Sequence, residues 1–186
     1  MTEKEKMLAG MIYDANNDSR LIAERLDCKE MCHDYNSLRP KETHAREELI
    51  RKIVGTAKGD FLIEQPFLCD YGYNVHIGKN FYANHNLVIL DEAPVTFGDN
   101  VFIAPNCGFY TAGHPIDAEE RNKGLEYARP ITVGDNVWIG ANVCVLPGVS
   151  IGDNCVIGAG SVVVKDIPPY SVAVGNPCKV IKTIEH

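Results

Sequence analysis

Between Val133 and Asp166 an aliphatic residue returns at every sixth position, as Val133, Ile139, Val145, Ile151 and Ile157. Glycine follows it in four of these five blocks, and the fifth position of each block is Val, Cys or Ser. A six-residue unit supplies one short strand and one turn, and three units make a triangular coil of about eighteen residues. The leading aliphatics point inward and stack from coil to coil. Gly or Asn after them suits turns of positive φ, as at Gly78, Gly98, Gly134, Gly140, Gly152 and Gly158. Earlier frames open at Ile77, Ala83 and Ile89, then at Phe97, Ile103 and Phe109, with two additional residues between the sets at a corner near Ala93-Pro94. After Phe109 the pattern stops over 111–130 and resumes in phase at Val133, which predicts a projecting loop.

Residues 1–60 lack this period and read as helices, a separate arm ahead of a solenoid domain at 61–186. Thr2 and Glu5 have capping-box spacing for a short first helix ended by the polar run 14–18. Asp18 or Ser19 caps a second helix through about Tyr35, with Leu21, Ile22, Leu26, Cys32 and Tyr35 on its apolar face. Arg39-Pro40 ends it. A third helix, from about Glu42 to Val54, turns Leu49, Ile50, Ile53 and Val54 inward and stops at Gly55.

A net charge of −7 and a pI near 5.3 argue against general binding to nucleic acid or membrane surfaces. No apolar run has membrane-spanning length, and the opening residues lack a secretion signal, so a cytoplasmic protein is expected. Seven cysteines without a CxxC pair read as reduced, packed thiols. Cys28 and Cys32 lie one helical turn apart, but two thiols alone make a poor metal site. No phosphate-binding glycine loop is present.

The hexads resemble those of left-handed parallel β-helix acyltransferases. Nearly the whole chain is similar to the maltose and galactoside O-acetyltransferases, through Thr2-Glu3-Lys4-Glu5-Lys6-Met7, the runs 69–74 and 80–84, Gly113-His114-Pro115-Ile116-Asp117, 136–140, Lys165-Asp166-Ile167-Pro168 and Gly175-Asn176-Pro177. The resemblance implies a mainly β, left-handed parallel β-helix with an acceptor-side helical arm, the loop 111–130 and a CoA-side segment 167–186. It also implies a homotrimer with active sites between subunits, acetyl-CoA as donor, a sugar hydroxyl as acceptor and no metal requirement.

An alcohol attacks a thioester only as its proton is removed, which histidine can do at neutral pH. The resemblance makes His114 that base; read from the residues alone, it is equally a turn histidine beside Pro115. The resemblance assigns acceptor contacts to Asp14, Asp70, Tyr82, Asn84, Glu92 and Glu126, with Asp91 an alternative to Glu92. Asp70, Glu92 and Glu126 depart from the galactoside enzyme, which has a small hydroxyl residue, a shorter acid and an apolar residue there. The resemblance also places CoA contacts on Asn84, Ala141, Ala159, Val164, Lys165, Lys179 and Lys182, with the Ala141 N–H as oxyanion donor; Trp138 is expected either to line the pantetheine arm or to pack at a coil edge. Alternatives are a same-fold enzyme for an antibiotic or serine acceptor, a carbonic-anhydrase-like metal site on His76, His85 and His114, and a non-catalytic scaffold. His33, His44 and His186 read as solvated.

Overall fold

In a computed structural model describing residues 1–185, the hexads close into a parallel β-solenoid of about six turns. Its first face carries Thr56–Ala57, Val75–Ile77, Val95–Phe97, Ile131–Val133 and Ser150–Ile151. The second carries Phe61–Ile63, Phe81–Ala83, Phe102–Ile103, Trp138–Ile139, Val156–Ile157 and Ser171–Val174, with Lys179–Thr183 added antiparallel. The third carries Phe67–Cys69, Leu87–Leu90, Gly108–Tyr110, Cys144–Val145 and Val162–Val163. Parallel register sets Ile63, Ala83, Ile103, Ile139, Ile157 and Ala173 in one inward column, all buried. Each large aliphatic so buried contributes roughly 1.5–3 kcal/mol. Phe81, Phe97 and Phe109 fill the middle of the prism, with ring centroids 5.1 and 4.9 Å apart.

The turn reading needs one correction. None of the six glycines after the aliphatics has positive φ. They are small because a Cβ would strike the neighbouring coil: on Gly78 it would stand 2.3 Å from the Gly98 carbonyl oxygen. The left-handed conformation falls two residues later, on Asn80, Asn100, Asn136 and Asn154 along the edge between the first and second faces. Their side-chain amides donate in a ladder, Asn80 to Asn100 at 2.9 Å, Asn100 to Asn136 at 3.0 Å and Asn136 to Asn154 at 3.1 Å.

Three helices form the arm: α1 (Glu3–Leu8), with the Thr2/Glu5 capping box in place, α2 (Ser19–Ser37), capped by Asp18, and α3 (Thr43–Ile53). The buried face of α2 is Leu21, Cys28, Cys32 and Tyr35, whereas Leu26, expected inside, is 58% exposed. The seven-residue step from Leu21 to Cys28 sets that stripe, which lays Cys28, Cys32 and Tyr35 over the first coil and Leu21 into a separate cluster with Met7, Tyr13 and Tyr71. In α3, Ile50 and Ile53 are buried, Leu49 only half so, and Arg46 is also buried. The segment 111–130 folds back as a hairpin, Ala112–Gly113 against Leu125–Ala128, with α4 (Ala118–Arg121) at its tip. Tyr13–Asp14 joins as a third antiparallel strand, tying the loop to the arm. Among the described residues no helix is long and apolar enough to cross a membrane.

Candidate active site

The edge between the third and first faces gathers Asp70, Asp91, Glu92 and His114, each placed just beyond a strand of the third face or in the hairpin that leaves it. His114 is exposed, and its Nδ1 lies 3.0 Å from the Leu125 carbonyl oxygen across the hairpin. A carbonyl only accepts, so Nδ1 bears the hydrogen of the neutral ring. Nε2 is left with its lone pair, the form a general base requires.

Beneath it lies a layer of acids. Asp91 is fully buried and accepts the backbone N–H groups of Asp70 (3.1 Å), Tyr71 (2.8 Å) and Asn74 (3.3 Å). Burial pushes its carboxyl up to about 6 while those N–H donors pull it down. Its oxygens hold the 70–74 turn. Glu92 is 3% exposed and lies beside the Thr111 hydroxyl at 3.3 Å. Burial, then a hydrogen bond with Asp70 and repulsion from Asp70 and Asp91, push its carboxyl up to about 9. Burial and the neighbouring acids thus favour the neutral form of Glu92 at neutral pH, and Lys29 Nζ approaches Asp70 at 3.7 Å.

On the arm side, the Tyr13 hydroxyl donates to Glu126 at 2.8 Å, and burial followed by the nearby Glu126 charge raises the phenol above its ordinary range. Asp14 pairs with Leu125 in the hairpin, but its carboxylate accepts from Asn16 and Asn17. The Asn17 hydrogen bond is the main reason that this carboxyl sits below the usual range. Nothing local in the sequence marks Arg25 or the Leu125 carbonyl; Arg25 donates to the Tyr71 hydroxyl at 3.2 Å and the Ala15 carbonyl at 2.8 Å. Their roles come from contacts between distant segments, which no local pattern carries.

Tyr82, Asn84, Ala141 and Ala159 lie elsewhere, along the second face and its edge with the third. Tyr82, Asn84, Phe102, Ala104 and Trp138 line a hollow of about 190 Å³. At the first edge, Asp99 and Asp135 N–H groups are each capped by an aspartate of the next coil, at 2.7 and 2.8 Å. At the second edge the equivalent residues are Ala141 and Ala159. The N–H groups beside Ala141, on Gly140 and Asn142, are bonded to Ile157 and Pro105 carbonyls, while that of Ala141 has no acceptor in the chain among the described residues. Alanine in place of aspartate thus opens a backbone donor.

Val164 and Lys165 extend the His114 edge and are exposed. Lys179 and Lys182 are exposed on the terminal antiparallel strand, opposite Val174 and Val172. The remaining histidines do not converge: His76 Nδ1 meets Thr56 at 3.1 Å on the first face and His85 Nδ1 meets the Gln65 carbonyl at 2.6 Å at the second edge. His33 and His44 are exposed, and His186 lies outside the described residues.

Residues 6–59 match the maltose acetyltransferase hexapeptide capping motif, and residues 130–165 match the bacterial transferase hexapeptide family over six repeats. A putative acetyltransferase of Saccharomyces cerevisiae is 58% identical over 180 residues, 97% of this chain and 92% of its own length. The crystal structure of a maltose O-acetyltransferase from Clostridium difficile is 54% identical with a TM-score of 0.98, covering 100% of this chain and 99% of that one. A galactoside acetyltransferase solved in complex with coenzyme A is 47% identical with a TM-score of 0.96, covering 100% and 92%. Matches of this extent, over arm and solenoid alike, identify an acyltransferase: the chain belongs to the maltose/galactoside O-acetyltransferase family of hexapeptide-repeat enzymes.

Proposed function

We propose that the protein moves the acetyl group of acetyl-CoA directly to a sugar hydroxyl, with His114 as general base. The observation that carries the reading is the His114 Nδ1 contact with the Leu125 carbonyl, which leaves Nε2 able to take a proton. As Nε2 removes the hydroxyl proton, the acceptor oxygen attacks the thioester carbon; the carbon–sulfur bond then breaks and the CoA sulfur receives the proton from the imidazolium. The open Ala141 N–H suits the oxyanion that forms between these events. Asp70, neutral Glu92 and Glu126, with Tyr82 and Asn84, offer both donors and acceptors to a polyhydroxylated acceptor, and Asp14 shapes the turn beside them.

The two groups of residues occupy different edges of one prism. A complete site therefore uses the His114 edge of one copy and the Asn84 and Ala141 edge of another, as in a homotrimer. The outward side chains of the second face support this, since Leu62, Phe102 and Trp138 are 41%, 41% and 56% exposed in a single chain. CoA lies along the groove between copies, with Ala159 and Val164 on its walls and Lys165, Lys179 and Lys182 near its phosphates.

A thiol-release assay with acetyl-CoA and a panel of sugars tests the proposal. His114→Ala should lower kcat about 10²–10⁴-fold with little change in the KM for acetyl-CoA. Undiminished turnover by that variant would refute the base assignment.

A further inference from the structure

Cys28, Cys32 and Cys69 take no part in acyl transfer, yet the fold brings them together where the arm closes the end of the prism. Cys28 and Cys32 share one face of α2, and Cys69 is, with Phe67, an inward residue of Phe67–Cys69, the first strand of the third face. The Cys69 sulfur lies 3.5 Å from that of Cys28 and 3.7 Å from that of Cys32, and all three lie within 4.8 Å of one another. The residues are 1%, 1% and 4% exposed. Thiolates bound to one ion at about 2.3 Å sit roughly 3.8–4.0 Å apart, so this triangle needs shifts of only tenths of an ångström to take one. Among the described residues no fourth His, Cys, Asp or Glu joins the group. An all-sulfur, water-excluding triangle selects soft ions over hard ones.

We infer that Cys28, Cys32 and Cys69 form a structural site for a soft, thiophilic metal ion, apart from the acyl-transfer centre. Binding displaces thiol protons to solvent and leaves sulfur in its reduced state, so no oxidant is involved. The bound ion clips α2 to the coil that continues into Asp70, and it stabilises the cap by mass action.

Cadmium ion is the probe, added to the full-length protein in a buffer with a non-thiol reductant and followed by equilibrium dialysis. One tightly bound Cd²⁺ per chain is expected, with proton release, an ultraviolet thiolate-to-metal charge-transfer band and a raised Tm. Cys69→Ser and Cys32→Ala should each weaken binding by roughly a hundredfold or more. Cys144→Ser, at a half-buried cysteine elsewhere, should keep it. Binding by wild type without the band or proton release, or binding unchanged in a folded Cys69→Ser, overturns the proposal. If both ligand variants fail to fold, the wild-type band and proton release decide it.

Discussion

Replacing Glu92 by Gln tests whether this buried acid is neutral in the fold. The Glu92 carboxyl rises from 4.5 in the open chain to about 9 in the fold. Below pH 4.5 both states hold the proton and the substitution is nearly silent. Between 4.5 and about 9 the folded state holds a proton that the unfolded state has lost, so wild-type stability falls as pH rises, by about 1.4 kcal/mol per unit. By pH 7 this amounts to about 3 kcal/mol. Gln cannot ionise and keeps nearly the shape of the acid. The variant should therefore match wild type near pH 4 and exceed it by about 3 kcal/mol at pH 7, the gap widening toward pH 9. Urea unfolding at one fixed protein concentration across this range measures the difference, which mass action would otherwise blur in an oligomer. A gap that stays constant with pH, or a Gln variant weaker than wild type at pH 8, would show that Glu92 is ionised in the fold.

Gly78→Ala should cost about 3 kcal/mol or block soluble expression, because the added methyl meets the Gly98 backbone 2.3 Å away; thermal melts against a Gly160→Ala control, where the Cβ site is open but φ is positive, separate contact from conformation. Asn100→Ala loses two ladder bonds, one accepted from Asn80 and one donated to Asn136, as well as a residue tolerant of φ 57, and should destabilise by about 2 kcal/mol, more than Asn100→Gly, as denaturant titration would show. Trp138→Lys places a charge on the exposed apolar strip of the second face and should shift sedimentation toward monomer with loss of turnover; an unchanged assembly would remove that strip from the interface.

The solenoid was legible because its signal is local and repeated: each hexad from Val133 to Val162 announces its inward residue, and all but the one at Val145 follow it with glycine. What each small residue does was less legible. Gly78 and Asn80 both favour turns, and only the height of the next coil assigns close approach to one and positive φ to the other. Helix α2 shows the same limit. Leu26 and Cys28 are both apolar, and the surface covered by α2 decides that the cysteine goes inside. Asp91 and Glu92 are adjacent acids that sequence could not rank. Burial and contacts divide them, one holding a turn by three N–H groups and the other neutral beside Asp70. Nothing local marks Cys69 as a partner of Cys28 and Cys32, because thirty-odd residues of unrelated pattern separate them.

Within every coil the inward residue recurs at a strict six-residue spacing across two edges of the prism, as in Ile77, Ala83, Ile89 or Val133, Ile139, Val145. The departures from that spacing, the insertions at 70–74, 91–94 and 111–130 and the shortened step from Val163 to Ile167, fall at the remaining edge. Length changes there move no inward column out of register, whereas one residue added at either other edge would turn every later strand inside out. The architecture thus confines variation to a single seam. Segments that depart from the coil can be lengthened or recomposed along that seam with the remaining wall left as it is.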